Sequence, residues 1–327
     1  MLRKISVSLF LLTLCVPVFA QESRHFTFHY AFTVKNVPVG KRVRLWIPAA
    51  QSNEYQEVKI VSAKGDLSLK RTREARFGNE IYYAEVDKAS AADLNFDVEY
   101  DFTRHERNAL HPEPKLSAVA LSSQDRTQDL QPDALVPITG LPAELAVKVT
   151  TGKSDPLDKA RAIYDYVFTT MKYDKTGTGW GHGDVLYACD AKKGNCTDFH
   201  SLFIAMARSQ GIPARFEIGF PLPPDKHSGE IAGYHCWSDF YVDGKGWIPV
   251  DISEAWKHPE KRDYFFGSHD VNRVQFTMGR DLKLSPSQNG KPLNYFVYPY
   301  VEIDGQEYGN LSLAFSFADV APTVAAK

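Results

Sequence analysis

Cys196, His235 and Asp251 are the residues of this chain whose types and order can carry nucleophilic chemistry. A cysteine attacks as its thiolate, so it needs a base to take the proton. The base in turn needs a third group that fixes the imidazole tautomer and stabilises its charged form. Cys196 stands in GNCTDFHSLFIAMARSQG, residues 194–211, His235 in GYHCWSDFYV, and Asp251 closes GWIPVD. Attack of such a thiolate on a carbonyl gives a thioester.

The elements that must position these groups are readable from local pattern. Asn195 is a good helix N-cap, Asp198 stands three positions later as in a capping box, and Phe199, Leu202, Phe203 and Met206 recur at the helical period. Gly211 and Pro213 end the helix. A thiol on the first turn feels unpaired backbone N–H groups and the positive end of the helix dipole, both favouring thiolate. Tyr234–Val242 and Trp247–Val250 read as strands joined by Asp243-Gly244-Lys245-Gly246. Read as a regular hairpin, they set Asp251 opposite Asp239, several residues from His235. A bulge or strong twist is therefore expected, with Pro249 as its site because proline has no N–H for the ladder.

Two bland alternatives compete for the same residues. Cys196 could be a small buried apolar group and His235 a satisfied core histidine. Zinc is the other, since Cys196 and His200 lie at i, i+4 and His182, Cys189, His235 and Cys236 are near in sequence. No CxxC, HExxH or paired-ligand spacing is present, so no metal or cofactor is expected. Trp237 shares a strand face with His235 and could shield it, and Tyr173 follows an expected helix and could line the cleft.

The stretch GNCTDFHSLFIAMARSQGIPARFEIGF, with GYHCWSDFYVDGKGWIPVDISEA after it, closely resembles the transglutaminase-like domain of papain-type thiol enzymes. The resemblance is strong over residues 156–255 and implies a Cys196–His235–Asp251 catalytic triad. Relatives use a Trp or Gln side chain in the oxyanion hole, which makes Trp180, or the nearby His182, a candidate beside the Cys196 backbone N–H. Some animal relatives use calcium, but no EF-hand-like loop is present here. The implied activity is attack on an amide or peptide bond, resolved by water (protease or amidase) or by an amine (transglutaminase). The substrate would be a peptide, protein or peptidoglycan-type amide. A non-catalytic peptide- or cell-wall-binding module of the same fold is the alternative.

The chain opens with Arg3, Lys4, an apolar run from Ile5 and Val18-Phe19-Ala20, a secretory signal peptide pattern with cleavage expected after Ala20. A secreted or periplasmic location follows, with no transmembrane segment in the mature chain. Losing Arg3 and Lys4 from 38 basic residues, against 40 acidic ones, leaves a net charge of −4, which gives no sign of nucleic-acid binding. Cys189, Cys196 and Cys236 remain, an odd number, and a Cys189–Cys236 bridge is left open.

Period-two patterning from His25 to Thr103 predicts a β-sandwich over 21–108, which resembles the N-terminal module of bacterial extracytoplasmic family members. The proline-bearing stretch 109–141 reads as a linker or lid, an ordered wrap being favoured over a mobile one. Helices at Pro142–Thr150 and after Asp155-Pro156 lead to the cysteine helix, and strands follow it. The expected class is α+β: an all-β sandwich before a papain-like transglutaminase core in which the cysteine helix packs on an antiparallel sheet. That catalytic domain is expected over 142–327, including a C-terminal extension, with a frayed end at Ala321–Lys327.

Overall fold

The computed structural model describes residues 22–111 and 120–321. The expected signal peptide at 1–20 lies outside these residues, as do part of the 109–141 stretch and most of the expected frayed end.

Strict alternation builds the sandwich. In Ser23–Val34 the side chains of Phe26, Phe28, Tyr30, Phe32 and Val34 are buried, while those between them are partly exposed. Leu94–His105 pairs antiparallel along the whole strand and buries Phe96, Val98, Tyr100 and Phe102 in the same rhythm. One five-stranded sheet runs in the order Ser228–Glu230, Leu311–Asp319, Ser23–Val34, Leu94–His105, Gln56–Gly65. The other runs Gln306–Glu307, Tyr300–Ile303, Val43–Ala49, Glu80–Val86, Lys70–Arg73.

These orders cross the domain boundaries expected at 21–108 and 142–327. Residues 300–319, expected as an extension of the catalytic domain, supply strands to both sandwich sheets. The hydrophobic pattern of Leu311–Phe317 marks a strand but not its partner. That partner is Ser23–Val34, at the other end of the chain.

The part that carries Cys196 is α+β. Asp155 caps Pro156–Thr170 by accepting from the Leu157 and Asp158 N–H groups, and Pro156 takes the first helical position. The antiparallel sheet runs in the order Gly246–Val250, His235–Val242, Ala214–Pro221, Arg273–Met278. Its one face packs on the cysteine helix, where Phe240 meets Phe203 with ring centroids 5.9 Å apart. On the other side Phe220 and Phe276 meet Phe28 of the sandwich at 5.3 and 5.6 Å, so the two parts share one core. Each such fully buried ring contributes about 1.5–3 kcal/mol.

The described part of 109–141 is tied down along its length. Arg208 donates to the Gln131 carbonyl and to Asp133, the Ala214 N–H donates to the Asp129 carbonyl, and Val136 is fully buried.

Candidate active site

The cysteine helix spans Cys196–Ser209, and its start is over-determined. Asn195 accepts from the Thr197 N–H, and Asp198 returns the capping box by accepting from the Asn195 N–H. The same Asp198 carboxylate accepts from the N–H groups of Gly181 at 2.7 Å and Gly183 at 3.0 Å, which wraps the glycine-rich loop around the first turn. Gly194 is required by this closeness, since a Cβ there would stand 2.1 Å from an Asp198 oxygen.

The hairpin is regular, contrary to the bulge expected at Pro249. Its three-residue loop closes on Val242–Gly246, which pairs Asp239 with Pro249 and Ser238 with Val250. Continuing that register sets Asp251 level with Trp237, on the diagonal from His235 rather than opposite Asp239. Pro249 fits without distortion because its strand is the edge of the sheet.

The geometry brings Cys196, His235 and Asp251 together. The His235 Nε2 lies 2.6 Å from Asp251 Oδ2, which leaves Nδ1 for the Cys196 sulfur, its hydrogen-bonding neighbour. All three groups are buried, Cys196 at 2% exposure. Burial pushes the Cys196 thiol up, but hydrogen bonds from Cys236 and His235, with the charge on His235, hold it well below the usual thiol range. Burial pulls His235 down, yet the charge and hydrogen bond of Asp251 raise it to about 10. Asp251 resists its own burial through His235 and Arg273 and sits well below the carboxylate range. The directions of these shifts favour a thiolate at Cys196, an imidazolium at His235 and a carboxylate at Asp251.

Two residues with positioning roles were not legible in the sequence. His200 places Nδ1 2.7 Å from the Cys196 carbonyl, and its Nε2 accepts from the Ile252 N–H at 3.0 Å. This fixes a neutral tautomer with Nδ1 protonated, and burial lowers the pKa of the ring accordingly. His200 is thus a strut between the cysteine helix and the Asp251 segment, with both ring nitrogens engaged. Arg273 donates from Nη1 to the Asp251 oxygen that faces His235, at 2.8 Å. Asp251 also caps the unexpected short helix Ile252–Lys257 through the Glu254 N–H. The i+4 spacing of His200 was the available signal, and Arg273 had none.

The remaining candidates fall in different places. Trp237 is fully buried beside His235, with ring centroids 5.9 Å apart, and its indole donates to Glu217 at 2.7 Å. Tyr173 is half-buried against Phe199 of the cysteine helix and Trp256. On the glycine-rich loop, the Trp180 indole donates to the Gly177 carbonyl, and His182 is exposed. Tyr234, one residue before His235, accepts from Asn195 and lies 3.0 Å from the Thr197 hydroxyl, bracketing Cys196 from the strand side. Cys189, Cys196 and Cys236 are all free, so no Cys189–Cys236 bridge is present. Cys236 instead faces the cysteine helix, its sulfur 3.6 Å from the Thr197 hydroxyl.

Comparison with known proteins agrees with this architecture. Residues 143–252 match the transglutaminase-like superfamily. An uncharacterized protein of Haemophilus influenzae is 29% identical over 310 residues, covering 82% of this chain and 83% of that one. The uncharacterized protein YebA of Bacillus subtilis is 26% identical over 129 residues, 35% of this chain and 18% of its own. The crystal structure of a candidate cysteine protease from Cytophaga hutchinsonii superposes with a TM-score of 0.58 at 17% identity, covering 93% of each chain. The matched residues include the cysteine helix and the whole hairpin, and residues 143–252 are therefore a transglutaminase-like domain.

Proposed function

We propose that this protein is an exported thiol enzyme that acts on amide or peptide bonds. The observation that carries the reading is the His235 imidazole, held by Asp251 at 2.6 Å and raised to about 10 beside a Cys196 thiol whose pKa is depressed. The Cys196 thiolate attacks the carbonyl carbon, and His235 gives its proton to the leaving amine. The resulting thioester is opened by water or by a second amine, with His235 now accepting the nucleophile's proton. Asp251 keeps the imidazole oriented and stabilises its charged form throughout.

The developing oxyanion is assigned to the backbone N–H of Cys196 together with a group of the glycine-rich loop, Trp180 or His182. Trp237 shields the imidazole and Tyr173 lines the cleft. The substrate class is a peptide, protein or peptidoglycan-type amide outside the cytoplasm, the location that the Met1–Ala20 pattern supports. No helix of the described residues is long and apolar enough to cross a membrane.

A glutamine-bearing peptide offered with a labelled primary amine tests the chemistry. Ammonia release with label on the peptide identifies transfer, ammonia alone identifies amidase action, and cleaved chains identify a protease. The Cys196→Ala protein must be inactive in each assay. If Cys196 is alkylated by iodoacetamide no faster than an ordinary thiol near neutral pH, and His235→Ala changes nothing, the binding-module reading replaces this one.

A further inference from the structure

The buried arginines of this protein, with the half-buried Arg215 beside them, divide by how their charge is met. Arg107 holds both Asp239 oxygens at 3.0 and 2.8 Å, and Arg215 reaches Asp239 and Glu217 at 3.0 Å each. Arg208 has Asp133 at 2.7 Å and Arg273 has Asp251 at 2.8 Å. Arg280 lacks a carboxylate but is saturated by the carbonyls of His182 and Gly183, by Ser201 and by Asn294.

Arg104 differs from all of these. It is 3% exposed, and its one side-chain hydrogen bond among the described residues runs 3.4 Å from Nη1 to Gln56 Oε1. That oxygen already accepts from the Gln275 N–H at 3.0 Å. The Arg104 Nε has no partner, and no carboxylate of the described residues is within ion-pair distance. Burial, with Arg273 and Arg107 close by, pulls its pKa down to about 9 even though Glu217 pulls the other way. A buried charge left unmatched is costly, and a counter-ion removes the cost.

Arg104 lines a cavity of about 290 Å³ at the seam between the sandwich and the catalytic sheet. Its walls include Tyr55, Trp247, Phe276 and Met278, and Glu54 at its edge is exposed to solvent. A cavity of about 150 Å³ holds benzene, so this one has room for a ring and a carboxylate. Its charge selects as well as its size. Arg107 and Arg215 are neutralised by Asp239 and Glu217, which leaves Arg104 as the one excess charge inside the cavity, the remaining carboxylate, Glu54, being at the solvent edge. A doubly charged anion would meet those same two carboxylates without a second cation to balance it.

We propose that this seam cavity is a binding site for a singly charged organic carboxylate with an apolar or aromatic body, held by the guanidinium of Arg104. The site stands apart from the triad and does not depend on the activity assigned to Cys196.

Calorimetric titration of the purified protein with 3-phenylpropionate, its neutral amide and inorganic phosphate at constant ionic strength tests this. The carboxylate is expected to bind at least about tenfold more tightly than either competitor, since only it offers one charge and a ring. The affinity should be the same in the Cys196→Ala protein and should fall at least about tenfold in Arg104→Met. Equal binding of the amide, preference for phosphate, an unchanged Arg104→Met, loss of binding in Cys196→Ala, or no binding at all overturns the proposal. Should Arg104→Met not fold, wild-type crystals soaked with 3-(4-bromophenyl)propionate decide the matter. An anomalous bromine peak in the cavity with the carboxylate on Arg104 supports the site, and its absence there refutes it.

Discussion

His200 Nδ1 lies 2.7 Å from the carbonyl oxygen of Cys196, one helical turn earlier, while the other ring nitrogen accepts from the Ile252 N–H. The imidazole thereby joins the cysteine helix to the segment that begins at Asp251. His200→Ala leaves buried polar groups unpaired and should cost about 1–3 kcal/mol in denaturant unfolding. It should also slow Cys196 alkylation at neutral pH, because the sulfur and His235 lose a common reference. His200→Asn, which can restore a donor near the Cys196 carbonyl but not the bond to Ile252, should fall between the two. A purely structural role would leave the alkylation profile unmoved.

The Cys196–His235 pair gives stability a distinctive pH dependence. His235 has a raised pKa, so its contribution is complete below 6.5 and is lost as pH rises to about 10. Cys196 has a lowered pKa, so its contribution is present above 9.0 and is lost as pH falls through the folded value. Above 6.5 and the folded thiol's own lowered pKa, and up to 9.0, the folded pair binds one proton on His235 and the unfolded pair binds one on Cys196, so the two slopes oppose each other. In Cys196→Ala only the histidine term survives, and its contribution should decline across that window. Melting temperatures at pH 6.5 and 9.0 for the two proteins provide the comparison.

Arg273 holds Asp251 against the energetic cost of its burial. Arg273→Met leaves a buried carboxylate short of a partner and should destabilise the protein by about 3–5 kcal/mol. Urea unfolding at pH 7 measures the loss. Arg273→Met/Asp251→Asn, which removes both charges, should recover part of it.

Asp198 accepts from three backbone N–H groups, those of Gly181, Gly183 and Asn195. In Asp198→Asn the amide cannot accept from all three and sets a donor against donors, at a cost of about 1–3 kcal/mol. The loop at 176–183 should then be cut by proteases well before the rest of the chain, which limited proteolysis with mass mapping will reveal.

The parts of this fold that were legible in the sequence are those whose signals are local. Asn195, Asp198 and Gly211 bound the cysteine helix within a few residues, and alternation from Phe26 to Phe32 reports a strand without reference to its neighbour. Register needed more, because the pairing of Asp239 with Pro249 depends on where the loop closes, and a shift of two residues moved Asp251 from Asp239 to Trp237. The bonds from Arg273 to Asp251 and from His200 to Ile252 join elements separated by 22 and 52 residues, and no sequence period reports such contacts. The sandwich membership of Leu311–Asp319 was hidden for the same reason, since its partner strand begins at Ser23.

That last pairing has a consequence for how the protein is made. Arg24 and Asp319 are bonded across 295 positions of chain, so at about 5–20 residues per second the partner arrives roughly 15–60 s later. Until then Ser23–Val34 has one edge open, a surface prone to pairing with the wrong chain. Among the described residues the first strand to be synthesised is completed by the last, which makes a nascent or late-truncated chain the form most in need of a chaperone.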